Sequence, residues 1–273
     1  MSTAVTQLPA WPAAVNAVCR FFTGRDHTGE PIEARIVFYV QLLADAGLLA
    51  AGRRIVDLGA GICWFDPLVH RLGPEVILVD DFGGGGGVAQ ADRDPALHLL
   101  ERFRREFDLE IIEQDFLETP LPLADASIDA VTCFHSLEHW HHSPKNLFAE
   151  IVRVLRPGGR LILATPNAAN LRKRLHVLFG ANIWSGLEEW YHEQPVFRGH
   201  VREPIVRDLH RLMEWNGFRV VATHGRNFIG RDSHALAWLP RPLRHGFVIA
   251  ADTALRFFPT LCSDIHVVGQ KPA

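Results

Sequence analysis

The sequence predicts a doubly wound α/β fold built on a mostly parallel sheet, and three observations carry that prediction. Short apolar runs, each ending in a polar residue or a glycine, recur through residues 54–164. Helical segments with recognisable starts lie between them, and the first run opens directly into a glycine turn. Strands covered on both faces read as near-continuous apolar runs, and strand alternating with helix is the pattern of a layered α/β domain. The 273 residues, 48% hydrophobic, are enough to bury a full core.

Residues 1–50 are read as an N-terminal helical cap. Up to residue 30 it is punctuated by Pro9, Pro12, Gly24 and Gly29. From Ile32, the apolar positions Ile36, Tyr39, Val40 and Leu43 recur at helical spacing. The core, residues 51–230, opens with strands at Arg54 to Leu58, Glu75 to Asp80, Leu109 to Gln114, Ser127 to Phe134 and Arg160 to Ala164. Helices are expected over Phe65 to Leu72, over Ala96 to Phe107 after Asp94-Pro95, and over Lys145 to Leu155 after Ser143-Pro144. In the last two, a capping side chain precedes a proline at the first helical position. Pro157-Gly158-Gly159 stops the third helix.

Beyond Ala164 the rhythm changes. A helix from Ala168 to Phe179 and an irregular stretch from Gly180 to Glu203 form a substrate-facing insertion at about 168–203. A helix from Pro204 to Trp215, the Asn216-Gly217 turn and a strand from Phe218 to Ala222 then resume the core. Residues 231–273 supply a C-terminal helix and a closing strand, Asp264 to Val268. The one low-complexity segment is the glycine run Gly83 to Gly87.

Bulk properties exclude several function classes. With 28 basic and 31 acidic residues the chain has no cationic footprint for nucleic acid. Cys19, Cys63, Cys133 and Cys262 show no paired spacing, so neither a zinc knuckle nor a disulfide framework is expected, and a cytoplasmic location fits. No signal peptide or window of transmembrane length is visible. Membrane contact, if any, is expected to be peripheral, around Leu236 to Phe258 with Trp238, Phe247, Phe257 and Phe258 beside Arg241, Arg244 and Arg256. A dimer interface or plain core competes for that stretch, so a homodimer is an open expectation.

At Ile55-Val56-Asp57-Leu58-Gly59-Ala60-Gly61 a buried strand runs into glycines, which let the backbone turn sharply and approach a ligand. Nicotinamide, flavin and adenosylmethionine enzymes all use such a turn. A dinucleotide fingerprint needs a third glycine where this chain has Trp64, which disfavours NAD. Asp80 ends the second strand, where a carboxylate suits the two hydroxyls of a ribose; neighbouring Asp81 could substitute. Asp115-Phe116 follows the third strand.

On these residues the sequence resembles the class I S-adenosylmethionine-dependent methyltransferases, especially the small-molecule branch of ubiquinone and menaquinone methyltransferases, over roughly residues 50–225. Three segments give the most specific match: Ser127-Ile128-Asp129-Ala130-Val131, Phe134-His135-Ser136-Leu137-Glu138-His139, and Leu155-Arg156-Pro157-Gly158-Gly159-Arg160-Leu161. Thr165-Pro166-Asn167 and Gly199-His200-Val201-Arg202 resemble a subset of sugar or polysaccharide biosynthesis. The resemblance implies a Rossmann-like, seven-stranded, mostly parallel sheet with helices on both faces, a C-terminal lid insertion, and S-adenosylmethionine as cofactor. It implies that Asp57, Gly59 and Gly61 surround the methionine part, that Asp80 takes the ribose, and that Asp115 and Phe116 recognise the adenine. His135 is placed among the cofactor-binding residues. Cys63, two positions after Gly61, and Trp64 depart from the family pattern, as does the glycine run.

Methyl transfer is an in-line displacement in which the cofactor supplies the reactivity and the protein aligns the acceptor. A hydroxyl acceptor must still lose its proton, and a neutral histidine is a suitable base. His139 is the candidate, with His200 as the alternative. The imidazoles and carboxylate of His135, Glu138, His139, His141 and His142 are of metal-ligating type, but their spacing is not that of a helix-borne zinc site and no metal is expected. Trp184, Trp190, Tyr191 and Phe197 are read as walling a small-molecule or glycan acceptor, the alternative being the core of a small lid. The function expected is therefore methyl transfer, with oxygen as the favoured acceptor atom. The alternatives are a non-catalytic binding protein on a degenerate methyltransferase fold and, less favoured, an NAD-dependent oxidoreductase.

Overall fold

The computed structural model describes residues 4–29, 32–82, 93–194, 196–228 and 240–273. The Gly83 to Gly87 run and Trp238 lie outside the described residues. The chain divides into two compact units, residues 1–132 with 145–159, and residues 133–144 with 160–273.

In the first unit, strands β1 (Arg54–Leu58), β2 (Glu75–Asp80) and β3 (Glu110–Glu113) pair in parallel, β1 lying between β2 and the start of β4 (Ile128–Phe134). Ile55, Val56 and Leu58 of β1 and Ile77 and Leu78 of β2 are fully buried, each such side chain contributing about 1.5–3 kcal/mol by leaving water. The helices α3 (Phe65–Leu72), α4 (Arg93–Phe107) and α5 (Lys145–Val154) pack apolar faces built on Leu68 and Val69, Phe103 and Phe107, and Phe148 and Ile151. Residues before Gly24 form a 3₁₀ turn at Ala4–Gln7 and the helix α1 (Trp11–Thr23), with Pro12 in its first turn, where its missing N–H costs nothing. The helix α2 (Ala34–Asp45) follows.

In the second unit, β5 (Leu155–Pro166) pairs antiparallel with β7 (Asp264–Gln270), which pairs antiparallel with β6 (Arg219–Arg226). The helices α6 (Leu171–Leu178), α7 (Leu187–His192), α8 (Val206–Trp215) and α9 (Arg241–Leu255) complete it. Leu209 and Met213 of α8 are buried, as are Ile265 and Val267 of β7. The strand order is β3-β2-β1-β4-β5-β7-β6, a seven-stranded and mostly parallel sheet.

Several boundaries differ from expectation for local reasons. α4 already includes Arg93, so Asp94 and Pro95 lie within the helix rather than before it. α6 starts at Leu171 because the Asn170 side chain caps it, accepting the Lys173 N–H at 2.9 Å. The stretch expected to be irregular contains α7; β5 continues through Thr165 and Pro166, and β6 through His224 and Gly225, because these positions extend the ladder against β7, and β5 also starts earlier, at Leu155.

One buried ion-pair cluster ties the base of the first unit together. Asp129, 4% exposed, accepts from the Arg53 guanidinium at 2.7 Å, from the Arg54 N–H at 2.9 Å and is paired with Arg156. Removing one partner from such a cluster strands the others. Because both arginines are partly exposed, Asp129→Ala is expected to cost about 2–3 kcal/mol, read as a lower urea midpoint with unchanged slope.

Candidate functional site

In the first unit, the carboxyl end of β1 meets the glycine turn. Gly59 and Gly61 adopt left-handed backbone at φ +72° and +57°, a region that side-chain-bearing residues enter only at a cost. The Gly59 N–H donates to Val79 O, and the Gly61 N–H donates to Asp80 Oδ2, both at 2.9 Å. Asp80 Oδ1 accepts the Phe82 N–H at 2.7 Å. Burial raises the Asp80 pKa against the pull of these two donors. Asp80 therefore braces the turn, and each of its oxygens keeps lone-pair capacity beyond the N–H it accepts.

Asp57, 4% exposed, accepts the Thr132 hydroxyl at 2.5 Å. Burial, then the charge of Asp66, pushes its carboxyl well above the ordinary range. Asp66, fully buried in the first turn of α3, is itself raised by burial to about 7. Two carboxyls forced together out of water cannot both ionise without cost. Asp66 and Thr132 escaped the sequence reading, Asp66 because an acid in the first turn of a helix reads as an ordinary response to the helix dipole.

The two departures at this turn have packing explanations. The Trp64 ring stacks on Phe22 of α1, centroids 5.6 Å apart and planes 13° from parallel. The Cys63 thiol donates to Asp66 Oδ2 at 3.5 Å, and burial raises its pKa. Asp115 is exposed, and its Oδ1 accepts the Leu117 N–H at 2.9 Å, so its side chain also shapes the local turn. Phe116 beside it is half-buried.

In the second unit, His135 at the end of β4 has φ +54°, unusual for a residue with a side chain. Its ring lies between two buried carboxylates, Nδ1 at 3.3 Å from Glu138 and Nε2 at 3.4 Å from Asp264. Glu138 is 1% exposed, and its Oε2 accepts the Thr165 hydroxyl at 3.1 Å. His139 and His200 meet edge to face with ring centroids 4.9 Å apart. His139 Nδ1 donates to Arg198 O at 2.7 Å, and His200 Nδ1 bonds Glu203 Oε1 at 2.8 Å. That bond raises the His200 pKa. Burial works to raise Glu203, but His200 and Lys173 outweigh it and hold the carboxyl below its usual range. Both histidines singled out in the sequence thus share one cluster, while their supports, Arg198, Glu203 and Lys173, were missed. Glu203 could have been found, three positions after His200.

Trp184, Trp190 and Tyr191 are 69%, 57% and 71% exposed, so they are not the packed core of a lid. Phe197 is half-buried and lies over Gly199, where a Cβ would collide with its ring. Among the described residues no helix is long and apolar enough to cross a membrane.

Residues 32–223 match the family model described as a methyltransferase domain. A protein of Mycolicibacterium smegmatis named a probable S-adenosylmethionine-dependent methyltransferase is 29% identical over 64% of this chain and 55% of its own length. A demethylmenaquinone methyltransferase of Renibacterium salmoninarum is 32% identical over 45% of this chain and 46% of its own. A ubiquinone biosynthesis O-methyltransferase of Dechloromonas aromatica is 31% identical over 50% and 54%. The chain thus spans about half the length of the curated relatives it matches. The YcgJ protein of Bacillus subtilis has the same fold, with a TM-score of 0.54 and 18% identity over 87% of this chain and 99% of that one. So does an S-adenosylmethionine-dependent methyltransferase of Mesorhizobium loti, with a TM-score of 0.52 and 17% identity over 85% and 96%.

Proposed function

The chain belongs to the methyltransferase domain family, and from that premise we propose that it transfers the methyl group of S-adenosylmethionine to a hydroxyl of a small-molecule or sugar-like acceptor. The observation that carries the cofactor half is the turn itself: two left-handed glycines after β1, one braced by Asp80, with the buried Asp57 beneath them. Asp57 is assigned to the cationic methionine part, Gly59 and Gly61 to close backbone approach, and Asp80 to the ribose hydroxyls. Asp115 and Phe116 are assigned to the adenine, and His135 is kept among the cofactor-binding residues. The packing of Trp64 on Phe22 and of Cys63 on Asp66 gives these departures a reason other than a lapsed site.

When bound, S-adenosylmethionine would supply the methyl group to the acceptor oxygen and be released as the neutral thioether, while the acceptor O–H would give up its proton. One proton is released overall. The His139–His200 pair is where the chain assists proton loss, and exposed Trp184, Trp190 and Tyr191 offer flat apolar faces to a ring-shaped acceptor. Incubation with S-adenosylmethionine and, separately, phenolic and saccharide hydroxyl acceptors tests this reading by the appearance of S-adenosylhomocysteine together with a methyl ether. Product methylated only on nitrogen or carbon would refute the oxygen assignment.

The raised pKa of Asp66 makes a pH prediction. A carboxyl whose folded pKa is raised stabilises the fold fully below the ordinary carboxylate range and loses that contribution as pH rises through about 7. Wild type should therefore lose stability relative to Asp66→Asn between about pH 4 and about pH 7 and change little above that. The cationic cofactor favours the ionised pair, so its affinity should rise with pH by up to about tenfold per unit below 7 and then level off. In Asp66→Asn that slope should shrink, as read by calorimetry in buffers of different ionisation enthalpy.

A further inference from the structure

We propose that Glu138, His139 and His200 form a binding site for one divalent first-row transition-metal ion of the Zn²⁺ type. Each residue offers a donor atom, and the three atoms lie within 4.8 Å of one another. Two imidazoles and one carboxylate are a ligand set that such ions accept, with a position left open for a further oxygen.

The surroundings of the three residues point the same way. A carbonyl oxygen only accepts, so the His139 Nδ1 bonded to Arg198 O carries the hydrogen, and the lone pair of the neutral ring is on Nε2. His200 Nδ1 faces the Glu203 carboxylate, which fixes the same tautomer, and Lys173 pairs with the other oxygen of Glu203. Nδ1–H bound to a carbonyl or carboxylate, with Nε2 presented outward, is the support that metal-ligating histidines receive. The segment carrying His200 is fastened to that of Glu138, whose backbone carbonyl accepts the N–H groups of Val201 at 2.8 Å and Arg202 at 3.2 Å.

Glu138 supplies the independent observation. It is 1% exposed, and its Oε1 accepts no hydrogen bond among the described residues, although His135 Nδ1 stands 3.3 Å away. Buried carboxylate oxygens normally have their hydrogen bonds made, and a cation satisfies one that does not. The site stands without the methyltransferase reading, whereas the ion's role rests on it: with both Nε2 lone pairs on the ion the two histidines would assist proton loss through it and not as bases themselves, an acceptor hydroxyl in the open position losing its proton to solvent more readily.

The test uses tag-free full-length protein stripped with chelator and titrated with Co²⁺ for its visible d–d bands, and with Zn²⁺ by calorimetry. The expected result is one ion per chain, with His139→Ala and His200→Ala each losing the bands. Glu203→Gln should weaken binding by about ten- to a hundredfold while circular dichroism is unchanged. His141→Ala, outside the cluster, should bind as wild type does. His139→Gln and His200→Gln replace the alanine variants should those fail to fold. Absence of Co²⁺ bands in the wild type, or bands that survive both histidine substitutions, overturns the proposal. S-adenosylmethionine binding and turnover are read separately, so that result leaves the methyl-transfer reading to its own tests.

Discussion

Asp57→Asn is expected to bind S-adenosylmethionine about ten- to a hundredfold more weakly than wild type, while its cofactor-free form melts at a higher temperature. The two effects run in opposite directions because Asp57 is a liability to the fold. It is 4% exposed, burial and the nearby Asp66 both oppose its ionisation, and among the described residues Thr132 is the one hydroxyl donating to it. Asparagine keeps an acceptor for Thr132 and removes the charge, which should stabilise the protein at about pH 8 by about 1–3 kcal/mol. In a chain of this size each kcal/mol moves the melting temperature by about 2–4 °C. A ligand whose binding end carries an ammonium and a sulfonium loses its counter-charge in the same substitution. Differential scanning calorimetry with and without cofactor reads both. A variant that loses stability and keeps its affinity would place Asp57 in the scaffold and not at the ligand.

His139→Ala is expected to lower turnover by about 10²- to 10⁴-fold and to leave S-adenosylmethionine affinity within about twofold of wild type, an interval within experimental spread. His139 itself is assigned no contact with the cofactor. Its ring is fixed by Arg198 O and stands against His200. Because the two rings act together, His200→Ala should show a comparable loss and the double variant little more than either single one. Unchanged turnover in His139→Ala would remove it from the mechanism, and additive losses would separate the two histidines into independent roles.

The sheet was legible because its strands are buried on both faces. Ile55, Val56, Ile77 and Leu78 read as unbroken apolar runs for the same reason that they are now fully buried. The glycine turn was legible because Gly59 and Gly61 must reach backbone that other residues avoid. Edges were less so. Nothing in Asp94-Pro95 distinguishes a cap from the helical positions that it occupies, and the alternation that would extend β6 is interrupted by His224 and Gly225. Trp64 was read as hostile to a dinucleotide, and its packing partner Phe22 is on a helix whose proline-broken start hid it.

The supports of the histidine cluster were hidden for a different reason. His139 and His200 were named one at a time as rival bases, since sequence spacing cannot show that Arg198, Glu203 and Lys173 turn both Nδ1 atoms inward and leave both Nε2 atoms available. Asp66 was invisible on the same grounds: its significance lies in Asp57, which the chain brings to it only through the strand-turn-helix unit.

Whether the turn from Asp57 to Gly61 holds S-adenosylmethionine is decided by calorimetric titration of the purified chain with S-adenosylmethionine, S-adenosylhomocysteine and NAD(H). One site per chain is expected for both adenosyl compounds, weakened in Asp57→Asn, with no heat of binding from NAD(H). Saturable binding of NAD(H), or no binding of either adenosyl compound up to millimolar concentration, would contradict it.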